Sequence, residues 1–233
     1  GKLYAWYQFD TDVSTSGNLP DLSGFGRNLS PEDDPTDRVD APIDDNPGTP
    51  SSPPGFPAKS ANFNNDSIEF VDPTGTDDFS FGDPSSNSDK PFSVEIWVKT
   101  TSSTPADHDQ YILGKYEFTT DKREWLLSLD NGKPSLYLSS DGIQLDNYVK
   151  ITANQVLEQN RWYHVVATYG ATESAQGLSV MSLYIDGQPA ETTSASAGSY
   201  DGMTTQTARF TIGNADDESS TFDFIGHLAQ VAV

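Results

Sequence analysis

A glutamate in "FSVEIWVKT" (92–100) and a histidine in "NRWYHVVATYG" (160–170) are the first residues of this chain to ask about chemistry. A carboxylate serves as acid, base or nucleophile, and an imidazole as base or metal ligand. Retaining hydrolysis of a glycosidic bond takes two carboxyl groups about 5 Å apart. On an extended strand, residues two apart share a face, so Glu95 looks out beside Ser93, Trp97 and Lys99. None of these is a second carboxylate. The three histidines, His108, His164 and His227, lack the spacing of a helix-borne zinc site, and no Gly-x-Ser-x-Gly elbow or phosphate-cradling glycine loop occurs. The chain therefore reads as a non-enzyme. What Glu95, Trp97 and Lys99 offer is a binding mixture: a flat apolar ring flanked by polar groups.

Alternation with period two governs the apolar parts of the chain. "LYAWYQFD" (3–10), "FSVEIWVKT", "EWLLSLD" (124–130), "PSLYLSSD" (134–141), "RWYHVVATY" (161–169), "SVMSLYIDG" (179–187), "ARFTIGN" (208–214) and "FDFIGHLAQVAV" (222–233) all read as strands. Phe92, Val94, Ile96 and Val98 then face a core, and Glu95, Trp97 and Lys99 line a hollow on the other side of the same strand. Asn131-Gly132 and Asp186-Gly187 mark tight hairpins. "TANQVLEQN" (152–160) is the one stretch with a helical pattern. Polar segments with an aromatic beside Asp or Asn, "YEFTTDKREW" (116–125) and "AGSYDGM" (197–203), read as loop tips and add Tyr116, Trp125 and Tyr200 to the candidate ligand contacts. Residues 30–57 are rich in Pro and Asp without periodicity and read as a long surface loop within one domain, 1–233.

Composition narrows the partners. A net charge of −22 sets the chain against nucleic acid and against anionic membrane surfaces. No apolar run reaches membrane-spanning length, so no membrane insertion is expected. Cysteine is absent, which removes disulfides, thiol nucleophiles and cysteine zinc sites. Hydrophobic residues make up 34%, fitting two sheets around a thin core with long polar loops. Of the 35 acidic residues 26 are Asp, a turn former and a hard oxygen donor suited to Ca²⁺.

Trp162, His164 and Val165, followed by "LYIDG" (183–187), resemble the laminin-G-like, concanavalin A-like lectin-glucanase superfamily. "YQFD" (7–10), "DLSGFGRN" (21–28), "SANFNNDSIEF" (60–70), "ILGKY" (112–116), "FTIGN" (210–214) and "FIGHLAQVAV" (224–233) follow in the family's order. The resemblance implies an all-β, antiparallel two-sheet jelly-roll sandwich with the first strand beside the last. It implies a structural role for His164, since the Trp-x-His pattern recurs in binding proteins without catalysis. It also implies a structural Ca²⁺ near the meeting of the ends, with Asp21 as ligand and Asp10 and Asp66 beside it. The family's acidic residue shortly after the final-strand glycine is missing, because Gly226 is followed by His227, Leu228, Ala229 and Gln230.

The expectation is a noncatalytic extracellular recognition domain of a bacterial surface adhesin or similar secreted protein, with glycans or cell-surface polysaccharide as partner and neighbouring domains of a longer chain beside it. The alternatives are a structural or protein-interaction module of a virion or surface array, and a glycosidase.

Overall fold

The computed structural model describes residues 3–9, 18–31, 44–45, 59–64, 70–74, 78–83, 89–101, 109–143, 146–172, 175–215 and 222–233. In chain order its strands are β1 (Trp6–Gln8), β2 (Ser30–Pro31), β3 (Asp44–Asp45), β4 (Lys59–Asn64), β5 (Phe70–Val71), β6 (Phe92–Thr100), β7 (Gln110–Glu117) and β8 (Lys122–Asp130). There follow β9 (Lys133–Ser139), β10 (Tyr148–Ala153), β11 (Tyr163–Tyr169), β12 (Met181–Ile185), β13 (Gln188–Pro189), β14 (Thr192–Ala197), β15 (Phe210–Ile212) and β16 (Ile225–Ala232). One sheet runs β13-β12-β11-β6-β16-β4-β3, with β1 also on β16; the second runs β14-β10-β9-β8-β7-β15-β5-β2. All pairings are antiparallel. The protein is an all-β two-sheet sandwich.

Strand parity builds the core. Phe92, Val94, Ile96 and Val98 of β6 are buried while Ser93, Glu95, Trp97 and Lys99 are not, and on β11 Tyr163, Val165, Ala167 and Tyr169 point inward with them. Register pairs like with like: Val98 opposite Tyr163, Ile96 opposite Val165. From the second sheet, Trp125, Leu127 and Leu129 of β8 and Leu136 and Leu138 of β9 meet this layer. Burying side chains of this size stabilises the fold by about 1.5–3 kcal/mol each. Phe79 stacks on Phe210 at 4.0 Å and Phe81 on Phe92 at 4.4 Å, with the Trp125 ring beside three of the four.

Two hairpins fix the register. Asn131 and Gly132 have φ of 49° and 78°, and Asp186 and Gly187 have 51° and 75°, the left-handed pair that a two-residue turn requires. The ends close on each other: the Val233 carbonyl accepts the Tyr4 and Ala5 N–H groups at 2.6 and 3.0 Å. The stretch with helical periodicity, 152–160, ends β10 and continues as bends and a turn. Ala153 and Leu157 are anchored in the sandwich instead while Val156 is exposed, and the Leu157 N–H bonds to the Gly132 carbonyl at 2.9 Å. No helix among the described residues is long and apolar enough to cross a membrane.

Candidate functional site

The outward side of the second sheet carries an open cavity of about 440 Å³ over β7, β8, β9, β10 and β14. Alternation explains its lining. Leu126, Ser128 and Asp130 stand between the core residues of β8; Tyr137 stands between Leu136 and Leu138; Tyr148, Lys150 and Thr152 stand between Val149, Ile151 and Ala153. Tyr111 and Tyr116 are five apart and would fall on opposite faces of a regular strand. A bulge between Tyr111 and Leu113 shifts the parity, so both tyrosines line the cavity while Ile112 and Leu113 are both fully buried.

These rings touch in series across the strands. Tyr148 stacks on Tyr137 at 5.2 Å, Tyr137 meets Tyr116 edge-on at 5.7 Å, Tyr116 meets Tyr111 at 5.3 Å, and Tyr111 stacks on Phe222 at 4.7 Å. The Arg123 guanidinium is buried under this row, 5.4 Å from the Tyr116 ring, and donates to the Phe118 and Gly142 carbonyls at 2.5 and 2.9 Å. Burial pushes the hydroxyls of Tyr111, Tyr116 and Tyr137 above the ordinary phenol value, so all three keep their protons at neutral pH. The Tyr137 hydroxyl lies beside the Ser139 side chain. At the rim, Asp130 accepts from Ser128 at 3.0 Å and from Thr152 at 3.5 Å and pairs with Lys150; Asp109 and Lys133 stand nearby. An apolar aromatic floor under a ring of donors and acceptors is the composition that holds a polar, ring-shaped ligand.

Of the residues the sequence singled out, Tyr116 lies in this floor. Trp125 does not: it is 0% exposed, its indole N–H donates to the Phe79 carbonyl at 2.9 Å, and it fills the core between the sheets. The segment 116–125 is not a loop tip but the end of β7, a turn and the start of β8. Tyr200 is a second correction. Its hydroxyl donates to Asp89 Oδ2 at 2.8 Å, Tyr169 reaches the same oxygen at 2.5 Å, and the Met203 N–H reaches Oδ1 at 2.6 Å. Asp89 thus fastens the 199–203 loop, and Tyr200 is one of its clamps.

Glu95, Trp97 and Lys99 do share an outward face, but on the first sheet, away from this cavity. There Glu95 Oε1 lies 3.0 Å from His164 Nε2, the Trp97 ring sits 4.9 Å from the His164 ring, and Lys99 Nζ sits 5.1 Å from the Trp162 ring. Contact with His164, against the opposing effect of burial, holds the Glu95 carboxyl below its usual value. The three side chains are engaged by their cross-strand neighbours, and His164 belongs to the same sheet-face packing.

Of the residues named for calcium, Asp10 and Asp66 lie outside the described residues. Asp21 accepts the N–H groups of Trp6 and Ser23 at 3.0 and 2.9 Å through Oδ1 and that of Arg27 at 3.1 Å through Oδ2. Burial alone would raise its pKa, but these bonds prevail and lower it. As it stands, this carboxylate is engaged by three backbone donors. Among the described residues no group of three or more His, Asp and Glu is disposed to hold a metal.

No curated protein matches the chain. Among solved structures, the binding domain of Paraclostridial Mosquitocidal Protein 1 superposes with a TM-score of 0.61 at 16% identity, covering 99% of this chain and 48% of that one. The receptor binding domain of botulinum neurotoxin mosaic serotype C/D gives 0.57 at 15% identity, covering 99% and 46%. The botulinum neurotoxin serotype D ligand binding domain in complex with N-acetylneuraminic acid gives 0.53 at 15%, again covering 99% and 46%. This chain spans about half the length of each, and at such identities the likeness is one of fold. A laminin G family model, described as the Concanavalin A-like lectin/glucanases superfamily, matches residues 73–233, which include the Asn131-Gly132 and Asp186-Gly187 hairpins and the whole floor of the cavity. The chain belongs to the Concanavalin A-like lectin/glucanases superfamily.

Proposed function

We propose that this is a noncatalytic, extracellular carbohydrate-recognition domain of a larger surface or secreted protein, and that its site is the cavity of the second sheet. The observation that carries the reading is the row Tyr148–Tyr137–Tyr116–Tyr111 lying under a polar rim in an open space of about 440 Å³. A sugar has an apolar face that rests on a ring and hydroxyls that bond to Asp, Lys, Thr and Tyr groups. The half-buried Tyr148 is the contact surface; Lys150 and Asp130, already paired, present a fixed donor and acceptor. A structure of the same fold crystallised with N-acetylneuraminic acid supports a glycan as ligand. Weak monovalent binding of this kind is strengthened by display in several copies.

The test is titration of the protein by NMR and calorimetry with a panel of neutral and acidic mono- and oligosaccharides. Tyr148→Ala and Lys150→Ala each weaken binding about tenfold, the cost of one stacking or polar contact near 1.4 kcal/mol. Trp97→Ala leaves it unchanged. No binding by any sugar overturns the reading. Loss of binding in Trp97→Ala but not in Tyr148→Ala moves the site to the first sheet.

A further inference from the structure

The tyrosine cavity differs from the rest of the chain in its charge. Over the whole sequence 35 acidic side chains outnumber 13 lysines and arginines. The cavity is lined by two of each, Asp109, Asp130, Lys133 and Lys150. Three of the four are already engaged. Asp130 pairs with Lys150 and accepts from Ser128 and Thr152 at 3.0 and 3.5 Å. Asp109 Oδ1 accepts the Asn131 N–H at 3.3 Å. Among the described residues, no ion pair or hydrogen bond engages the Lys133 ammonium. With both acids occupied, the charge left over in the cavity is a cation.

The hairpin fixes where that cation stands. Asn131 and Gly132 turn the chain at positive φ and set Lys133, the first residue of β9, opposite Asp130. From there Lys133, Ser135, Tyr137 and Ser139 follow one another on the outward face, while Leu136 and Leu138 point into the core. Tyr148, the half-buried ring of the aromatic row, is the register partner of Ser139. Six residues of β9 therefore separate Lys133 from the Tyr148 platform, about 20 Å of extended strand. A lysine side chain covers only part of that distance. A single pyranose ring on Tyr148 does not reach the ammonium, whereas a short run of linked sugars does. Ser128 and Thr152, on either side of Ser135, line the stretch between with hydroxyls.

We infer that the ligand of this cavity is an acidic oligosaccharide of about two or three sugars, one ring resting on Tyr148 and an anionic oxygen group meeting Lys133. The inference rests on the carbohydrate reading of the cavity and adds the charge and the length of the sugar. An ammonium is a point charge without the planar fork of arginine, so it takes a carboxylate or a sulfate ester alike. The net charge of −22 repels an anion at long range, but at physiological ionic strength that repulsion is screened beyond about 8 Å. Contact with Lys133 acts inside that distance, in a cavity where acids do not outnumber bases.

Calorimetric titration with matched sugars tests this. Galacturonate, glucuronate and mannuronate oligosaccharides of one to four residues are each compared with their methyl esters, and sulfated galactan oligosaccharides with their desulfated forms. The neutral partner keeps every stereocentre and removes only the charge. At least one acidic trisaccharide binds about tenfold more tightly than its neutral partner, in keeping with one charge-assisted hydrogen bond, and the matching monosaccharide shows no such gap. The uronate and sulfate arms tell which anion is held. Lys133→Met keeps the stem and closes the gap, Lys133→Arg preserves it, and Lys133→Gln repeats the test if the methionine variant folds poorly. Tyr148→Ala weakens the acidic and neutral forms alike. Neutral oligosaccharides that bind as tightly as their acidic partners, a gap that survives loss of the Lys133 charge, or a monosaccharide with the full gap would each overturn the inference and leave the carbohydrate reading standing. Silence from every sugar, neutral and acidic, ends both.

Discussion

Asp89 Oδ2 and the Tyr200 hydroxyl, 111 positions apart in sequence, lie 2.8 Å apart. The bond ties the 199–203 loop to the start of β6, and Tyr169 completes it from β11. Tyr200→Phe leaves the ring in place and removes the donor. It lowers stability by about 1.5–3 kcal/mol in urea denaturation, the range for a hydrogen bond to a charged group. Sugar affinity is unchanged, because the residue clamps a loop outside the tyrosine cavity. A loss of binding without loss of stability would return Tyr200 to the ligand site.

The Glu95 and His164 pair makes a titration prediction. With His164 in place, the Glu95 carboxyl titrates below the ordinary Glu range. A depressed folded-state pKa contributes stability above the unfolded value, and that contribution disappears as pH falls through the folded one. His164→Ala removes the cause, and the Glu95 carboxyl, followed by carbon NMR, moves upward. Glu95 is half-exposed and solvent screens the pair, so the melting temperature at pH 7 changes little. An unmoved Glu95 titration would show that the ring does not hold the carboxylate.

Glu124 behaves in the opposite sense. It is the extra residue of a bulge on β8, buried with Lys115 at 3.5 Å, and it accepts from Ser80 and from the Gln206 N–H at 3.0 and 2.6 Å. Burial outweighs these partners and raises its pKa to about 7. The folded state then binds more protons than the unfolded one between the ordinary value of 4.5 and about 7, so this group's contribution falls as pH rises through that window. Glu124→Gln removes the dependence. The stability of the variant relative to wild type rises between pH 5 and pH 8 by up to about 3 kcal/mol. Parallel stability–pH curves for the two proteins would refute the raised value.

Parity was legible where strands are regular. β6 and β11 alternate without interruption, and the inward row of each could be named from the sequence. The Asn131-Gly132 and Asp186-Gly187 turns announced their hairpins because few other dipeptides accept that backbone. Trp125 was legible too, since it is in phase with Leu127 and Leu129; reading it as a loop aromatic overlooked its own strand. The cavity was hidden for a different reason. Tyr111, Tyr116, Tyr137 and Tyr148 come from three strands, and Tyr111 joins the others only through a bulge that leaves no mark in the pattern. β14 escaped because Thr, Ser and Ala give no apolar periodicity; its partner β10, with Val149 and Ile151 facing inward, is what makes it a strand.

The closure of the two ends carries a mechanical consequence. Tyr4 and Val233 leave the sandwich from the same end of the β1–β16 ladder. A pull between them loads those bonds one after another, as a zipper opens, instead of shearing them together. Stretched by its ends, this sandwich yields at low force, and it does so from β1 inward while the tyrosine-bearing sheet is still intact.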